Sequence, residues 1–180
     1  MSTTTYIPDP VTLGTGLLLA RLVFGVLMVG HGTQKLLGWF GGYGIAGTAG
    51  FFEQLGFRPG RFFVITAALS EVASGILIAL GLLGPVGPAL LLPVMIVAAI
   101  SVHWKNGVFA TANGIEVPLL YATGAIALAL TGYGPFALDA ALGIDQTWTP
   151  GFKTAALAVG VVGGVVNLLA RRSATVAATA

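Results

Sequence analysis

Two ionisable residues stand out because each lies inside an apolar stretch of membrane length. Glu71 lies in the middle of the apolar run 62–83, and Arg21 lies inside the apolar run 13–30. A charged side chain at the bilayer centre costs about 3 kcal/mol on insertion scales, so it normally has a partner or a functional role. At about 1.5 Å per helical residue, both side chains approach the same middle level of the bilayer. We therefore expect a buried polar pair, either a structural ion pair or a carboxylate that handles protons or binds a ligand.

Four more polar residues are expected to meet at one membrane face, because they lie near the ends of apolar segments: His31, Lys35, His103 and Glu116. Two histidines and a carboxylate can polarise and protonate the head group of a quinone. They can also bind a divalent metal, or simply contact water and lipid in the interfacial zone. No two of them have the close helical spacing of a preformed metal site. We predict that these four residues bind a ligand and that the site holds no metal.

The composition is that of an integral membrane protein. Of 180 residues, 56% are hydrophobic and 8% are charged, and the mean hydropathy is +0.95. Soluble domains carry about 25% charged residues. The net charge of +2 with scattered basic residues argues against nucleic acid as a partner. The absence of cysteine excludes thiol chemistry and iron–sulfur ligation by this chain, so a redox role needs a bound cofactor or a partner subunit.

Five apolar segments have about the length that crosses a bilayer: 13–35, 62–83, 86–103, 117–133 and 154–170. They predict an all-α membrane protein, with a four-helix transmembrane core plus a fifth transmembrane helix. Residues 1–12 lack the basic region of a signal peptide, which indicates an exposed N-terminal tail. The connection 36–60 predicts an aromatic, glycine-rich turn followed by a short helix in the membrane interface.

The basic residues predict the orientation of the chain. The two connections and the C-terminal tail on one side of the membrane carry Lys35, Arg58, Arg61, Lys105, Arg171 and Arg172, whereas the other side carries only Lys153. Because positive residues are retained in the cytoplasm, we expect the N-terminus outside and the C-terminus inside.

Two further patterns concern packing and depth. Gly160 and Gly164 in the last segment form a small-xxx-small pattern, which predicts close helix packing within the chain or between the subunits of a homo-oligomer, with the internal contact favoured. Trp39, Trp104 and Tyr133 lie near the ends of segments, where aromatic residues anchor helices in the interface.

Several short motifs, taken in order, resemble the DoxX-like family of membrane proteins. The chain carries Arg21-Leu22-x-x-Gly25, His31-Gly32-x-x-Lys35-Leu36, Gly56, Glu71-x-x-x-Gly75, Gly81, Met95, Ala98, His103, Asn113-Gly114-x-Glu116, Gly132-x-Gly134 and Leu138-Asp139. The resemblance implies a DoxX-like four-helix membrane domain over 13–142, followed here by an additional transmembrane helix over 143–172 and a cytoplasmic tail over 173–180. It also implies that the polar residues named above occupy the recurring polar positions of the family.

The resemblance further implies association with redox systems, including small membrane subunits of quinone-linked sulfur oxidoreductases and complexes that handle oxidative stress. We therefore predict a multi-pass subunit of the bacterial inner membrane, in contact with lipids and with a soluble or membrane-bound oxidoreductase. In this interpretation a quinone or similar amphiphile enters the bundle near His31, His103 and Glu116. The alternative is a non-catalytic anchor that recruits soluble oxidoreductases, or a carrier of lipids or small molecules.

Overall fold

The computed structural model describes residues 9–172, and this part of the chain consists of helices and their connections. The helices are α1 (Pro10–Leu37), α2 (Gly44–Gln54), α3 (Gly60–Leu80), α4 (Val86–Ala98), α5 (Glu116–Thr131), α6 (Leu138–Ala141) and α7 (Pro150–Leu169). A π-helical turn, Ala99–His103, and a 3₁₀ turn, Trp104–Asn106, extend α4 without a break. Most of the predicted tails, residues 1–8 and 173–180, lies outside the described residues.

Within residues 9–172, four helical stretches are long and apolar enough to cross a membrane: Pro10–Leu37, Gly60–Leu80, Val86–Asn106 and Pro150–Leu169. The fifth apolar helix, α5, is shorter, with 16 residues. At about 1.5 Å per residue it spans about 24 Å, less than the roughly 30 Å hydrocarbon core. The expected all-α membrane fold is therefore confirmed, and α5 is shorter than the four membrane-length stretches.

The chemistry of its capping residues sets the ends of α1. The helix begins at Pro10, three residues earlier than the sequence predicted, because the Asp9 carboxylate accepts a hydrogen bond from the Thr12 amide at 2.8 Å. Proline suits this first helical position, since the missing N–H would have no helical partner there. The helix ends at Gly38, whose φ of 74° is the left-handed conformation that glycine adopts without steric cost.

Glycines allow α1 and α3 to pack against each other as antiparallel neighbours. A Cβ atom at Gly25 would lie 2.5 Å from the carbonyl oxygen of Gly75, and one at Gly32 would lie 2.8 Å from that of Ala68. Such contacts let the two backbones approach closely, as is common between transmembrane helices. These contacts also fix the register of the two helices. In this register, residues of α1 and α3 whose numbers add up to about 100 lie at the same level.

The last helix, α7, also packs closely on α4 through glycines. A Cβ atom at Gly160 would lie 2.7 Å from the carbonyl oxygen of Ala89, and one at Gly164 would lie 2.9 Å from the Cβ atom of Ile96. The prediction that these glycines serve packing within the chain is confirmed.

The helices gather the basic residues at one end of the bundle. The end of α7 meets the α2–α3 connection there, since the Arg171 Nε donates to the carbonyl of Leu55 at 3.0 Å. The residues Lys35, Arg58, Arg61, Lys105, Arg171 and Arg172 lie in or beside connections at this end, which we call the basic end. At the opposite end the Asp139 carboxylate accepts hydrogen bonds from the amides of Leu83 and Gly84.

Tyr133 corrects one prediction about aromatic anchors. Trp39 and Trp104 are exposed near helix ends, as expected of interfacial residues. Tyr133 is only 4% exposed and belongs to the hydrophobic core. The guanidinium of Arg21 lies over its ring, with the Arg21 Cζ 5.8 Å from the ring centroid. Tyr133 therefore packs against a buried cation instead of facing the membrane interface.

Candidate functional site

Glu71 has a cationic partner inside the bundle, and the partner is Lys35. The Lys35 Nζ lies 2.8 Å from Oε1 and 2.7 Å from Oε2 of Glu71. The Glu71 side chain is 3% exposed, whereas that of Lys35 is 24% exposed. The ion pair therefore joins a buried carboxylate on α3 to the last turn of α1.

The predicted pair between Arg21 and Glu71 was wrong, and the antiparallel register explains why. Arg21 lies level with residue 79 of α3, about 12 Å along the helix from Glu71 at 1.5 Å per residue. Side chains on a helix also lean towards its N-terminus. This lean carries Arg21 further from Glu71, towards Gly81, and brings Lys35 back towards the level of Glu71.

Arg21 is fully buried at the other end of the bundle. Its Nη2 donates to the carbonyl oxygen of Phe136 at 2.9 Å, and Gly81 leaves the space that its guanidinium occupies. Among residues 9–172, no carboxylate lies within 4.0 Å of it, since the ion pair found there is Lys35–Glu71. Arg21 thus fastens the α5–α6 connection to α1 through Nη2, whereas its buried Nε and Nη1 have no hydrogen-bond partner among the described residues.

A cavity of about 310 Å³ lies beside the Lys35–Glu71 pair. Most of its wall is apolar and comes from α1 to α5 and α7, together with the connection after α2. Its polar wall residues are His31, Lys35, Thr66, Ser70, Glu71, His103, Tyr121 and Asn167. The cavity therefore combines apolar walls with a group of ionisable side chains, a combination typical of small-molecule sites.

The structure brings both histidines to this cavity. His31 contacts Tyr121 edge to face, with ring centroids 5.8 Å apart. The Nδ1 of His103 lies 2.8 Å from the carbonyl oxygen of Asn113. Because a carbonyl can only accept, His103 Nδ1 carries the proton in this contact. In the neutral ring, Nε2 is then left as an acceptor that a ligand could use.

Glu116 is not brought to the cavity. Its Oε2 accepts a hydrogen bond from the amide of Ala110 at 2.7 Å, so the carboxylate closes the connection between α4 and α5. The structure thus unites three of the four predicted ligand-binding residues, His31, Lys35 and His103. Within residues 9–172 there is no group of three histidine or carboxylate side chains that could hold a metal ion.

Aromatic residues of α2 and the following connection form a wall that sequence reasoning missed. Phe51, Phe52 and Phe57 line the cavity, and Phe57 packs between Phe52 at 6.0 Å and Phe63 at 5.3 Å between ring centroids. The sequence predicted a short helix in the connection 36–60, and α2 confirms it. The aromatic face of α2 turns partly towards the cavity, which the sequence did not indicate.

A second hollow, of about 680 Å³, lies at the Asp139 end and is less suited to a ligand. Both Asp139 oxygens are already occupied, since Oδ1 binds the Leu83 amide and Oδ2 binds the Gly84 amide and the Trp148 indole. Lys153 donates to the carbonyl of Leu130. The charged groups of this hollow therefore hold the connections together.

Comparison with known protein families finds a match over about half of the chain. The model of the DoxX family matches residues 16–104. This range contains Arg21, His31, Lys35, Glu71 and His103, and it ends before Glu116. No curated protein and no solved structure matches the chain.

Proposed function

Because the chain is a DoxX-like multi-pass membrane protein, we propose that its cavity binds an amphiphile, and that a quinone is the ligand class it suits best. One observation carries this proposal: the apolar cavity of about 310 Å³ has the Lys35–Glu71 pair and both histidines in its wall. An amphiphile presents the matching combination of a polar head and an apolar tail.

The size and lining of the cavity support a head group with the first part of a tail. Ligand pockets hold about 300–1,000 Å³, so this cavity lies at the lower limit. Its apolar wall includes Met28, Val94 and Met95, and the aromatic residues of the α2 wall close another side. The remainder of a long tail would then lie between helices or in the lipid.

The polar wall residues suit the carbonyl oxygens of a quinone. Lys35 Nζ and a ring N–H of His31 can each donate a hydrogen bond to such an oxygen, and His103 can donate from Nε2 when its ring is protonated. Glu71 holds the Lys35 ammonium in place, and Lys35 or a histidine can hold a proton within the cavity. A bound quinone would supply two-electron redox chemistry. Since the chain has no cysteine for an iron–sulfur cluster, we assign the exchange of electrons to a partner oxidoreductase, soluble or membrane-bound.

We further propose that the protein lies in the bacterial inner membrane with its basic end in the cytoplasm. The six basic residues of that end, against Lys153 at the other, support this orientation by the positive-inside rule. The cavity then opens in the cytoplasmic half of the membrane, since Lys35 and His103 both lie near the basic end. In this proposal, a redox system that responds to oxidative stress contacts the protein at its cytoplasmic face.

The same basic end favours a second candidate function, that of a non-catalytic anchor. Exposed arginines at the membrane surface can attract an acidic soluble oxidoreductase by electrostatic steering. In that case the cavity would be dispensable for the recruitment of the partner. A carrier of lipids or small molecules would use the cavity without any redox partner.

Copurification tests these proposals together. The protein is extracted in a mild detergent, and the quinone per chain and any copurifying protein are measured by mass spectrometry. We expect about one quinone per chain for the wild type and a large loss in His103→Ala. The control Lys105→Ala changes an exposed neighbour outside the cavity wall and should retain the quinone. Equal quinone in all three proteins would contradict the site, and a soluble oxidoreductase without quinone would favour the anchor.

A further inference from the structure

Four arginines from two distant parts of the chain converge at the basic end. Arg58 and Arg61 lie before and within the first turn of α3, whereas Arg171 and Arg172 follow α7. Two hydrogen bonds join these parts: the Arg171 Nε donates to the carbonyl of Leu55, and the Arg172 amide donates to that of Gly56. The fold therefore brings into contact two segments that each carry a pair of arginines, more than 100 residues apart in sequence, and we call these four residues the arginine cluster.

The contact between the two parts is built into the backbone. A Cβ atom at Gly56 would come too close to the carbonyl oxygen of Arg172, and the φ of Gly56 is 95°, a value that side chains with a Cβ rarely adopt. The Arg171 guanidinium also lies over the ring of Phe57, with its Cζ 5.7 Å from the centroid. Arg171 thus has a fixed position, and the other arginines extend from backbone that is held with it.

The positive charge of this cluster is not neutralised by the surrounding chain. All four arginines are exposed, and none forms an ion pair within the part of the chain that the structure describes. The nearest acidic side chain in sequence, Glu53, accepts a hydrogen bond from the Gly60 amide at 3.0 Å. One oxygen of this carboxylate therefore binds the start of α3, and within residues 9–172 neither oxygen lies within 4.0 Å of an arginine nitrogen.

The neighbours of the cluster place it at the surface of the hydrocarbon core. Phe62, which follows Arg61, is 60% exposed, and Leu169, two residues before Arg171, is 79% exposed. Large apolar side chains with this exposure on membrane helices contact lipid tails. The arginines beside them consequently lie at the level of the phosphate groups of the lipids.

We propose that Arg58, Arg61, Arg171 and Arg172 form a binding site for the phosphate of an anionic phospholipid. Guanidinium groups bind phosphate oxygens with paired, charge-assisted hydrogen bonds. Clusters of basic residues beside transmembrane helices are suited to anionic head groups. The lipid tails then lie against the exposed apolar surface that Phe62 and Leu169 contribute. This site is separate from the polar wall of the cavity, so it does not depend on the nature of the cavity ligand.

The test compares two variants that lose the same charge. Arg58→Gln with Arg61→Gln removes two arginines that make no side-chain hydrogen bond within residues 9–172 and leaves the Arg171 contacts intact. Lys105→Gln with Lys153→Gln removes two positive charges elsewhere. Each protein is placed in nanodiscs of phosphatidylcholine and phosphatidylglycerol, and the lipids retained per chain are counted by native mass spectrometry.

We expect the wild type and the lysine variant to retain phosphatidylglycerol in preference to phosphatidylcholine. In the arginine variant, the ratio of retained phosphatidylglycerol to retained phosphatidylcholine should fall about tenfold. Its melting temperature in phosphatidylcholine alone should be unchanged. No preference in the wild type, or an equal loss in both variants, would overturn the site. Inorganic phosphate should not replace the lipid; if it raised the melting temperature in detergent as much as phosphatidylglycerol does, the assignment to lipid would be wrong.

Discussion

Lys35 binds both carboxylate oxygens of Glu71, with N–O distances of 2.8 and 2.7 Å, across the contact between α1 and α3. The pair joins the last turn of α1 to the middle of α3 and forms part of the cavity wall. Removal of Lys35 leaves the buried carboxylate of Glu71 without a compensating charge, which is more costly than the loss of an exposed ion pair.

A double-mutant cycle should show this coupling. Lys35→Met and Glu71→Gln should each lower the free energy of unfolding, and the combined variant should lose less than the sum of both. We expect a coupling energy of about 1–3 kcal/mol, as for residues in direct contact. The measurement is unfolding in mixed detergent micelles titrated with SDS.

The matched control is the cycle between Arg21 and Glu71. These two residues lie far apart along α1 and α3 and share no contact, so Arg21→Met and Glu71→Gln should be additive to within about 0.5 kcal/mol. A large coupling in this second cycle, together with additivity in the first, would contradict the assignment of the ion pair.

Two glycines of α1 should respond in opposite ways to the same substitution. Gly25→Ala places a methyl group against the carbonyl of Gly75, whereas a methyl group at Gly30 would meet no atom within 4 Å outside its own helix. Overpacking typically costs about 1–3 kcal/mol, so Gly25→Ala should lower the melting temperature by several degrees. Gly30→Ala should leave it unchanged or raise it, because alanine favours the helix. Equal melting temperatures in both variants would argue against the tight α1–α3 contact.

Asp139 should be essential for order at its end of the bundle. Its carboxylate accepts three hydrogen bonds, from the amides of Leu83 and Gly84 and from the indole of Trp148. Asp139→Ala leaves the buried Gly84 amide without a partner, at about 1–3 kcal/mol, and removes the acceptor of the partly exposed Leu83 amide and Trp148 indole. We expect a marked fall in melting temperature and a change in tryptophan fluorescence. Asp145→Ala, which removes a nearby carboxylate bonded only to Gln146, should change neither.

The proposed orientation can be measured cleanly because the chain has no native cysteine. The single substitutions Lys105→Cys and Gln146→Cys are at exposed positions at opposite ends of the bundle. In intact cells a membrane-impermeant maleimide should label the cysteine at position 146 and spare the one at position 105. The reverse pattern would place the basic end outside.

The periodicity and length of the apolar segments were sufficient to predict the helices. The length of an apolar segment can be read from the local sequence without knowledge of distant contacts. For this reason α1, α3, α4 and α7 appear within a few residues of their predicted bounds. The glycine pattern at Gly160 and Gly164 likewise predicted a close contact, because only small residues let two backbones approach.

The partners of the charged residues could not be predicted in the same way. Depth in the membrane can be estimated from residue counts, but the register between two helices depends on which small residues face each other. The contact of Gly25 with Gly75 sets that register. As a result Glu71 forms its ion pair with Lys35 and not with Arg21. Glu116 looked equivalent to the histidines in sequence, yet a local hydrogen bond to the Ala110 amide keeps its carboxylate in the connection.

The central claim is that the cavity beside Lys35 and Glu71 holds an amphiphile, and a variant that fills it tests this claim most directly. Ala98 lines the cavity without a charge, so Ala98→Phe should occupy the space while the ionisable groups remain. Wild-type protein that has been freed of copurified quinone by extended detergent washing is titrated with a short-chain quinone and followed by tryptophan fluorescence, and it should bind one equivalent. Ala98→Phe with an unaltered melting temperature should bind at least tenfold more weakly; binding equal to that of the wild type would contradict the account.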